Sequence, residues 1–196
     1  MKKTAILLAL VVCFFACSAY AASDAFKNNI YNPGELQPID SVLKVKVGQI
    51  APDFTLKSIS GKTVSLQDFR DRKNVVVSFV PAAWTPVCSD QWPGYNIIAD
   101  IFTSNDSVLL GITVDNIPTL FSWTNQMGKL WFEVLSDFWP HGTVAASFGV
   151  LRSDGTAERA LFVIDKKGLI RYIDIHNINQ RPRLEDLVRE LEKLNK

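Results

Sequence analysis

The sequence predicts an α/β fold in which helices flank a central mixed sheet, with a β-hairpin added at the N-terminal side. Two predominantly apolar runs, 75–80 and 108–114, predict parallel strands that are buried on both faces. Helical patterns follow both runs, and a second hairpin with an amphipathic helix closes the chain. Strands that alternate with helices are typical of a sheet whose central strands are parallel.

Residues 1–21 predict a signal peptide. Two lysines precede the apolar run 5–16, and Ala19-Tyr20-Ala21 has the small residues of a cleavage site. The apolar run is shorter than the roughly 20 residues that a membrane span needs. We therefore expect an exported, periplasmic protein with no stable membrane span after cleavage. A retained anchor, or lipid attachment at Cys17, is the alternative.

Cleavage would leave roughly 175 residues, a length typical of one domain. Residues 22–46 are polar and rich in turn-forming residues, and they predict an N-terminal arm that either wraps the domain or is a partly ordered linker. The domain itself is expected over residues 47–196. Loss of two lysines takes the formal net charge from +1 to just below zero, so no nucleic-acid partner is expected.

The domain is expected to open with a hairpin, in which runs 54–56 and 64–66 flank Ser60-Gly61-Lys62. A helical turn near 68–70 leads to strand 75–80. After Cys88 a helix should continue to about Phe102, with a kink at Pro93-Gly94.

Strand 108–114 is followed by a helix between Pro118 and Gly128. A short strand at 131–135, a loop at 136–142 and a short helix at 144–148 come next. Strands 159–164 and 169–173 flank a tight turn, and the last helix has apolar residues at helical spacing, namely Leu184, Leu187, Val188, Leu191 and Leu194. This order of elements is that of a thioredoxin-like fold.

Cys88 is the one cysteine that would remain after cleavage of the leader. It lies where strand 75–80 gives way to a helix, at the sheet edge where open α/β sheets bind ligands. The partial positive charge of a helix N-terminus favours a thiolate over a thiol. A reactive cysteine is therefore predicted, and an inert buried thiol is the alternative.

The stretch Pro81-Ala82-Ala83-Trp84-Thr85-Pro86-Val87-Cys88 resembles the P-x-x-x-T-x-x-C signature of the peroxiredoxins. The resemblance extends from residues 51–56 to residues 162–165. It implies an enzyme that reduces hydrogen peroxide or alkyl hydroperoxides through the Cys88 thiolate. Thr85 would orient the peroxide, Pro81 would shield the sulfur, and Arg159 would stabilise the thiolate and hold the peroxide oxygens. Gln91 stands where the family has an acid, which we expect to loosen the outer hydrogen-bond shell.

Cleavage of the leader would leave no second cysteine to resolve the oxidised Cys88, so the chain resembles the one-cysteine type. The sulfenic acid on Cys88 would be reduced by an external thiol, either a protein or a small molecule, or by Cys88 of a second subunit, and a homodimer is compatible with the sequence. If the leader were retained, Cys13 or Cys17 could resolve the sulfenic acid. No cofactor or metal is expected, because the chain has no zinc spacing, phosphate loop or dinucleotide fingerprint.

Two other functions fit the sequence. A thioredoxin-like thiol-disulfide oxidoreductase would need a second thiol at position 85, where Thr85 stands. A non-enzymatic binding module would keep Cys88 without using it.

Individual residues also have structural interpretations. Thr85 could be a helix N-cap, and Arg159 could be a solvated cation paired with Glu158 or Asp154. His141 and His176 are expected to be structural. Trp84 and Trp92 could flank an apolar pocket for organic hydroperoxides, and the apolar surface around Trp84 and Trp139 could support a dimer.

Overall fold

The computed structural model describes residues 24–194, so the predicted leader, with Cys13 and Cys17, lies outside the described residues. The strands are β1 Thr55–Ser58, β2 Thr63–Ser65, β3 Asn74–Phe79, β4 Ser107–Thr113, β5 Glu133–Ser136, β6 Arg159–Ile164 and β7 Ile170–His176. The helices are α1 Asp24–Asn28, α2 Pro86–Gly94, α3 Ala99–Ser104, α4 Ile117–Met127, α5 Thr143–Phe148 and α6 Leu184–Lys193. Two 3₁₀ segments lie at Leu66–Phe69 and Tyr95–Ile98.

The strands form one mixed sheet in the order β2-β1-β5-β4-β3-β6-β7. Strand β3 pairs parallel with β4, and β4 pairs parallel with β5. The other pairings are antiparallel, including β1 with β2 in the N-terminal hairpin and β6 with both of its neighbours. The predicted fold class is confirmed.

The sheet has a hydrophobic core on each face, because successive side chains of a strand point to opposite sides. In β3, Val75, Val77 and Phe79 belong to one core, where Phe79 packs against two further phenylalanines. Val76 belongs to the other core, which contains Cys88 and the aromatic residues of the α2–α3 region. All of β3 is buried, which explains its mostly apolar sequence.

The single helix expected from Cys88 to Phe102 is instead three segments: α2, the 3₁₀ segment Tyr95–Ile98, and α3. Pro93 lies inside α2 and has no N–H to donate, so the helix cannot continue with regular geometry beyond this point. Strand β5 begins at Glu133 rather than at 131. Trp131 instead packs on Phe102 at a centroid distance of 4.9 Å and donates its indole N–H to a backbone carbonyl.

The described part of the N-terminal arm crosses the edge of the sheet where β3 and β7 end. Tyr31 N donates to the Trp84 carbonyl at 2.7 Å, and the Pro38 carbonyl accepts from Ile178 N at 3.1 Å. Farther along, Lys44 N donates to the last residue of α5. Among residues 24–194, no helix is both long and apolar enough to span a bilayer.

Candidate active site

Cys88 lies in the first turn of α2, and its side chain is fully buried. The loop from Pro81 to Thr85 connects the end of β3 to this helix. The amide N–H groups of a first helical turn have no partners within their own helix, and they carry the positive end of the helix dipole. The sulfur therefore lies next to donors that favour negative charge.

Arg159 is the first residue of β6, and the antiparallel pairing of β6 with β3 brings it to the end of β3. Its side chain is buried, with 2% exposure. Its Nη2 atom lies 3.5 Å from Cys88 Sγ. Nε and Nη2 also donate to the Ile178 carbonyl, at 3.1 Å and 2.9 Å, so the guanidinium is held from two sides.

Gln91 binds Arg159 from a third side, because its Oε1 accepts from Arg159 Nη1. Its Nε2 donates to the Tyr95 hydroxyl at 2.8 Å, and that hydroxyl lies 3.2 Å from Ser78 Oγ. Burial raises the pKa of Tyr95, which keeps the phenol neutral. The expected loosening at Gln91 is therefore wrong: the amide closes a buried polar network against the guanidinium.

No carboxylate within residues 24–194 forms an ion pair with Arg159. Glu158 pairs instead with Arg152 at 2.7 Å, and Asp154 lies 3.6 Å from the same side chain. The alternative in which Arg159 is a solvated partner of these acids is therefore wrong. A buried charge without a counter-ion is costly. A thiolate at Cys88 would supply the missing negative charge.

Thr85 and Pro81 line a cavity of about 270 Å³ that also contacts Arg159. Thr85 holds the N-cap position of α2 with an extended backbone, but its side chain does not cap the helix. The hydroxyl donates instead to the Ala82 carbonyl at 2.9 Å, and its oxygen can still accept a hydrogen bond. Pro81, Thr85 and Arg159 thus line one cavity, whereas the buried Cys88 is not among its lining residues but contacts Arg159.

Residues that sequence analysis did not identify complete the cavity wall, namely Asn32, Pro33, Gly34, Glu35 and Leu36 of the arm together with Ile178 and Asn179. The Asn32-Pro33-Gly34 turn was visible in the sequence, but a local turn signal does not say which distant surface the turn contacts.

The expectation that Trp84 and Trp92 flank this pocket is wrong. Trp92 packs in the core against Trp123, and Trp84 packs against Phe26.

Both histidines have structural contacts outside the cavity wall. His141 Nε2 lies 2.9 Å from the Gly155 carbonyl, and His176 Nδ1 lies 3.3 Å from Asp174. Over the described chain, no cluster of three or more histidine, cysteine or acidic side chains could hold a metal ion.

The family model and the related sequences point to the same protein family. The family model described as AhpC/TSA matches residues 47–173. Alkyl hydroperoxide reductase E of Mycobacterium tuberculosis is 39% identical over 132 residues, which cover 67% of this chain and 86% of that protein. A chloroplastic 2-cysteine peroxiredoxin of Chattonella marina is 30% identical over 161 residues, covering 78% and 82% of the two chains.

Solved structures agree on the fold. The reduced 2-Cys peroxiredoxin of Plasmodium vivax superposes with a TM-score of 0.72 at 24% identity, covering 77% of this chain and 82% of that one. AhpC of Enterococcus faecalis superposes with a TM-score of 0.70 at 26% identity, covering 76% and 92%. This likeness confirms the thioredoxin-like arrangement of the sheet and helices.

Proposed function

Because the chain belongs to the AhpC/TSA family of peroxiredoxins, which are thiol-dependent peroxidases, we propose that it reduces hydroperoxides through Cys88 in a one-cysteine cycle. Thr85, Arg159 and Pro81 form the rest of the site. Arg159 stabilises the thiolate and the developing charge, and Thr85 aligns the peroxide. Pro81 walls the sulfur off from bulk water.

The contact between Arg159 Nη2 and Cys88 Sγ, at 3.5 Å, is the observation that carries this proposal. The guanidinium is buried, and within residues 24–194 its hydrogen-bond partners other than the sulfur are neutral. A fixed positive charge and the first-turn amides of α2 therefore lie beside the sulfur, where they would stabilise the negative charge of the reacting group. A buried guanidinium beside the sulfur fits a reactive cysteine better than an inert buried thiol.

The reaction follows from that geometry. The Cys88 thiolate attacks the terminal oxygen of a hydroperoxide in line with the O–O bond. An S–O bond forms while the O–O bond breaks, so the sulfur loses two electrons and the peroxide gains them. The departing alkoxide takes a proton from solvent and leaves as an alcohol, or as water from hydrogen peroxide. Cys88 remains as a sulfenic acid.

An external thiol completes the cycle. Its sulfur attacks the sulfenic acid, which releases water and forms a mixed disulfide, and a second thiol then frees Cys88. Cys88 is the free cysteine among the described residues, which supports reduction from outside the chain. The proposal includes export, which rests on the predicted leader.

The proposal also includes a homodimer. Trp139, which is 80% exposed beside an exposed Phe138, offers apolar surface for one. Sedimentation of the purified protein tests this part separately.

Stopped-flow mixing of the reduced protein with hydrogen peroxide tests the function. We expect Cys88 to react orders of magnitude faster than a free thiol and to gain one oxygen, detected by mass spectrometry and trapped with dimedone. Cys88→Ser is the control and should consume no peroxide. A rate no faster than that of a free thiol would favour a binding module. Reduction of insulin disulfides without peroxide consumption would instead favour an oxidoreductase.

A further inference from the structure

The cavity lined by Pro81, Thr85 and Arg159 is also lined by residues of the N-terminal arm, and not by the sheet and helices alone. Pro33 and Leu36 are half-buried and line the cavity together with Thr85 and Val87. These two side chains bring apolar surface to a site whose reactive side is polar. The inference below rests on the proposed function.

Asn179 fixes the arm at this position. Its Oδ1 accepts from Leu36 N at 2.9 Å, and its Nδ2 donates to the Leu36 carbonyl at 2.8 Å. Such a two-point clasp sets both the position and the orientation of the Leu36 backbone. The adjacent Ile178 donates to the Pro38 carbonyl while its own carbonyl holds Arg159, so one short loop contacts both the arm and the site.

The cavity is larger than the reacting group needs. Its volume is about 270 Å³, whereas one water occupies roughly 30 Å³ in the liquid, and hydrogen peroxide is only slightly larger. The lining of the cavity includes the apolar residues Pro33, Leu36, Val87 and Ile178. Apolar surface of this kind is stabilised by contact with an organic substituent rather than with water.

We propose that Leu36, which Asn179 holds in place, and Pro33 are specificity-determining residues of the peroxide site. They bind the organic substituent of a hydroperoxide and so raise the rate constant for such substrates relative to that for hydrogen peroxide. The arm is in this sense part of the substrate pocket.

The ratio of two second-order rate constants, measured for cumene hydroperoxide and for hydrogen peroxide, tests the inference. In Leu36→Ala this ratio should fall about tenfold, because the variant loses apolar contact with the cumyl group but not with the peroxide oxygens. Asn179→Ala removes the clasp but keeps the Leu36 side chain, and this ratio should fall in that variant too. Ile39→Ala is the matched control, because Ile39 is an exposed arm residue that does not line the cavity, and it should leave the ratio unchanged.

The outcomes separate this inference from the proposed function. If the unmodified protein reacts with both peroxides but Leu36→Ala and Asn179→Ala keep its ratio, the arm does not select substrates. Equal losses for both peroxides would also overturn the inference, since the arm would then act through Arg159. If the unmodified protein reacts with neither peroxide, the proposed function fails and the inference fails with it. Circular dichroism of each variant shows whether the fold is retained.

Discussion

Arg159 Nη2 lies 3.5 Å from Cys88 Sγ, although the two residues are 71 positions apart in the sequence. The contact exists because β6 runs antiparallel to β3, which places the first residue of β6 beside the loop that follows β3. The guanidinium also donates to the Ile178 carbonyl and to Gln91. The planar guanidinium of Arg159 therefore contacts three different partners at once.

Arg159→Lys should lower the rate constant with hydrogen peroxide by about a hundredfold or more. Lysine keeps the charge, but a single ammonium cannot reach the sulfur, the Ile178 carbonyl and Gln91 at once. Stopped-flow kinetics measure the effect. Arg171→Lys is the control, because Arg171 is exposed and paired with Asp165, and its rate should be that of the unmodified protein. An undiminished rate in Arg159→Lys would show that charge alone suffices.

Thr85→Val should slow peroxide attack by about a hundredfold, the typical cost of removing one well-placed polar group from such a site. Valine has nearly the shape of threonine, and the helix loses no cap, because the Thr85 hydroxyl donates to the Ala82 carbonyl instead. Thermal stability should therefore change little. Thr85→Ser keeps the hydroxyl and should retain most of the rate. Equal rates for the valine and serine variants would remove Thr85 from the mechanism.

The elements that were predicted correctly have strong local patterns. The two apolar runs correspond to β3 and β4, and the turns at Gly61 and Gly168 connect the antiparallel pairs β1–β2 and β6–β7, as predicted. The length of the helix after Cys88 was overestimated, because a proline predicts a disturbance but not the 3₁₀ geometry that replaces the helix.

The parts of the site that could not be predicted depend on contacts between distant residues. The motif identified Pro81, Thr85 and Cys88, and the family pattern identified Arg159. Gln91 was noticed, but its bond to Arg159 depends on where β6 lies relative to α2, which no local pattern specifies. The same holds for the arm wall of the cavity: Leu36 and Asn179 are 143 positions apart, and the Asn179 side-chain amide binds the Leu36 backbone, a contact that the identity of residue 36 does not specify.

Asp106 should make the stability of the fold fall as the pH is lowered. Hydrogen bonds from Lys166 and Lys73 lower the pKa of Asp106 from 3.8 to about 2. The unfolded chain therefore binds a proton at higher pH than the folded one does. The stabilisation is present above pH 3.8 and is lost as the pH falls toward 2.

Asp106→Asn should accordingly be less stable than the unmodified protein at neutral pH. Asparagine also tolerates the left-handed backbone at this position, so the comparison isolates the charge. Urea unfolding over a series of pH values should show the difference shrinking below pH 3.8 and vanishing near pH 2. Asp53→Asn, at another exposed aspartate, serves as the control. A difference that does not depend on pH would mean that the two lysines are not the cause.

Gly149 and Gly61 form a matched pair that tests how closely the arm packs on the domain. Both have left-handed backbones, with φ of 79° and 82°. A side chain at Gly61 would meet open space, whereas one at Gly149 would overlap the backbone of the arm at Val42 and Lys44. Gly61→Ala should therefore cost only the strain of a left-handed alanine, about 1 kcal/mol.

Gly149→Ala should cost more than this in the free energy of unfolding, because the arm must also move away and give up the hydrogen bond from Lys44 N to the Phe148 carbonyl. Urea unfolding of the two variants gives the difference. Limited proteolysis should show faster cleavage near residues 42–44 in Gly149→Ala alone, since a displaced backbone is open to a protease. Equal losses of stability and equal cleavage would mean that the arm leaves this surface at no cost, contrary to the close contact at Gly149.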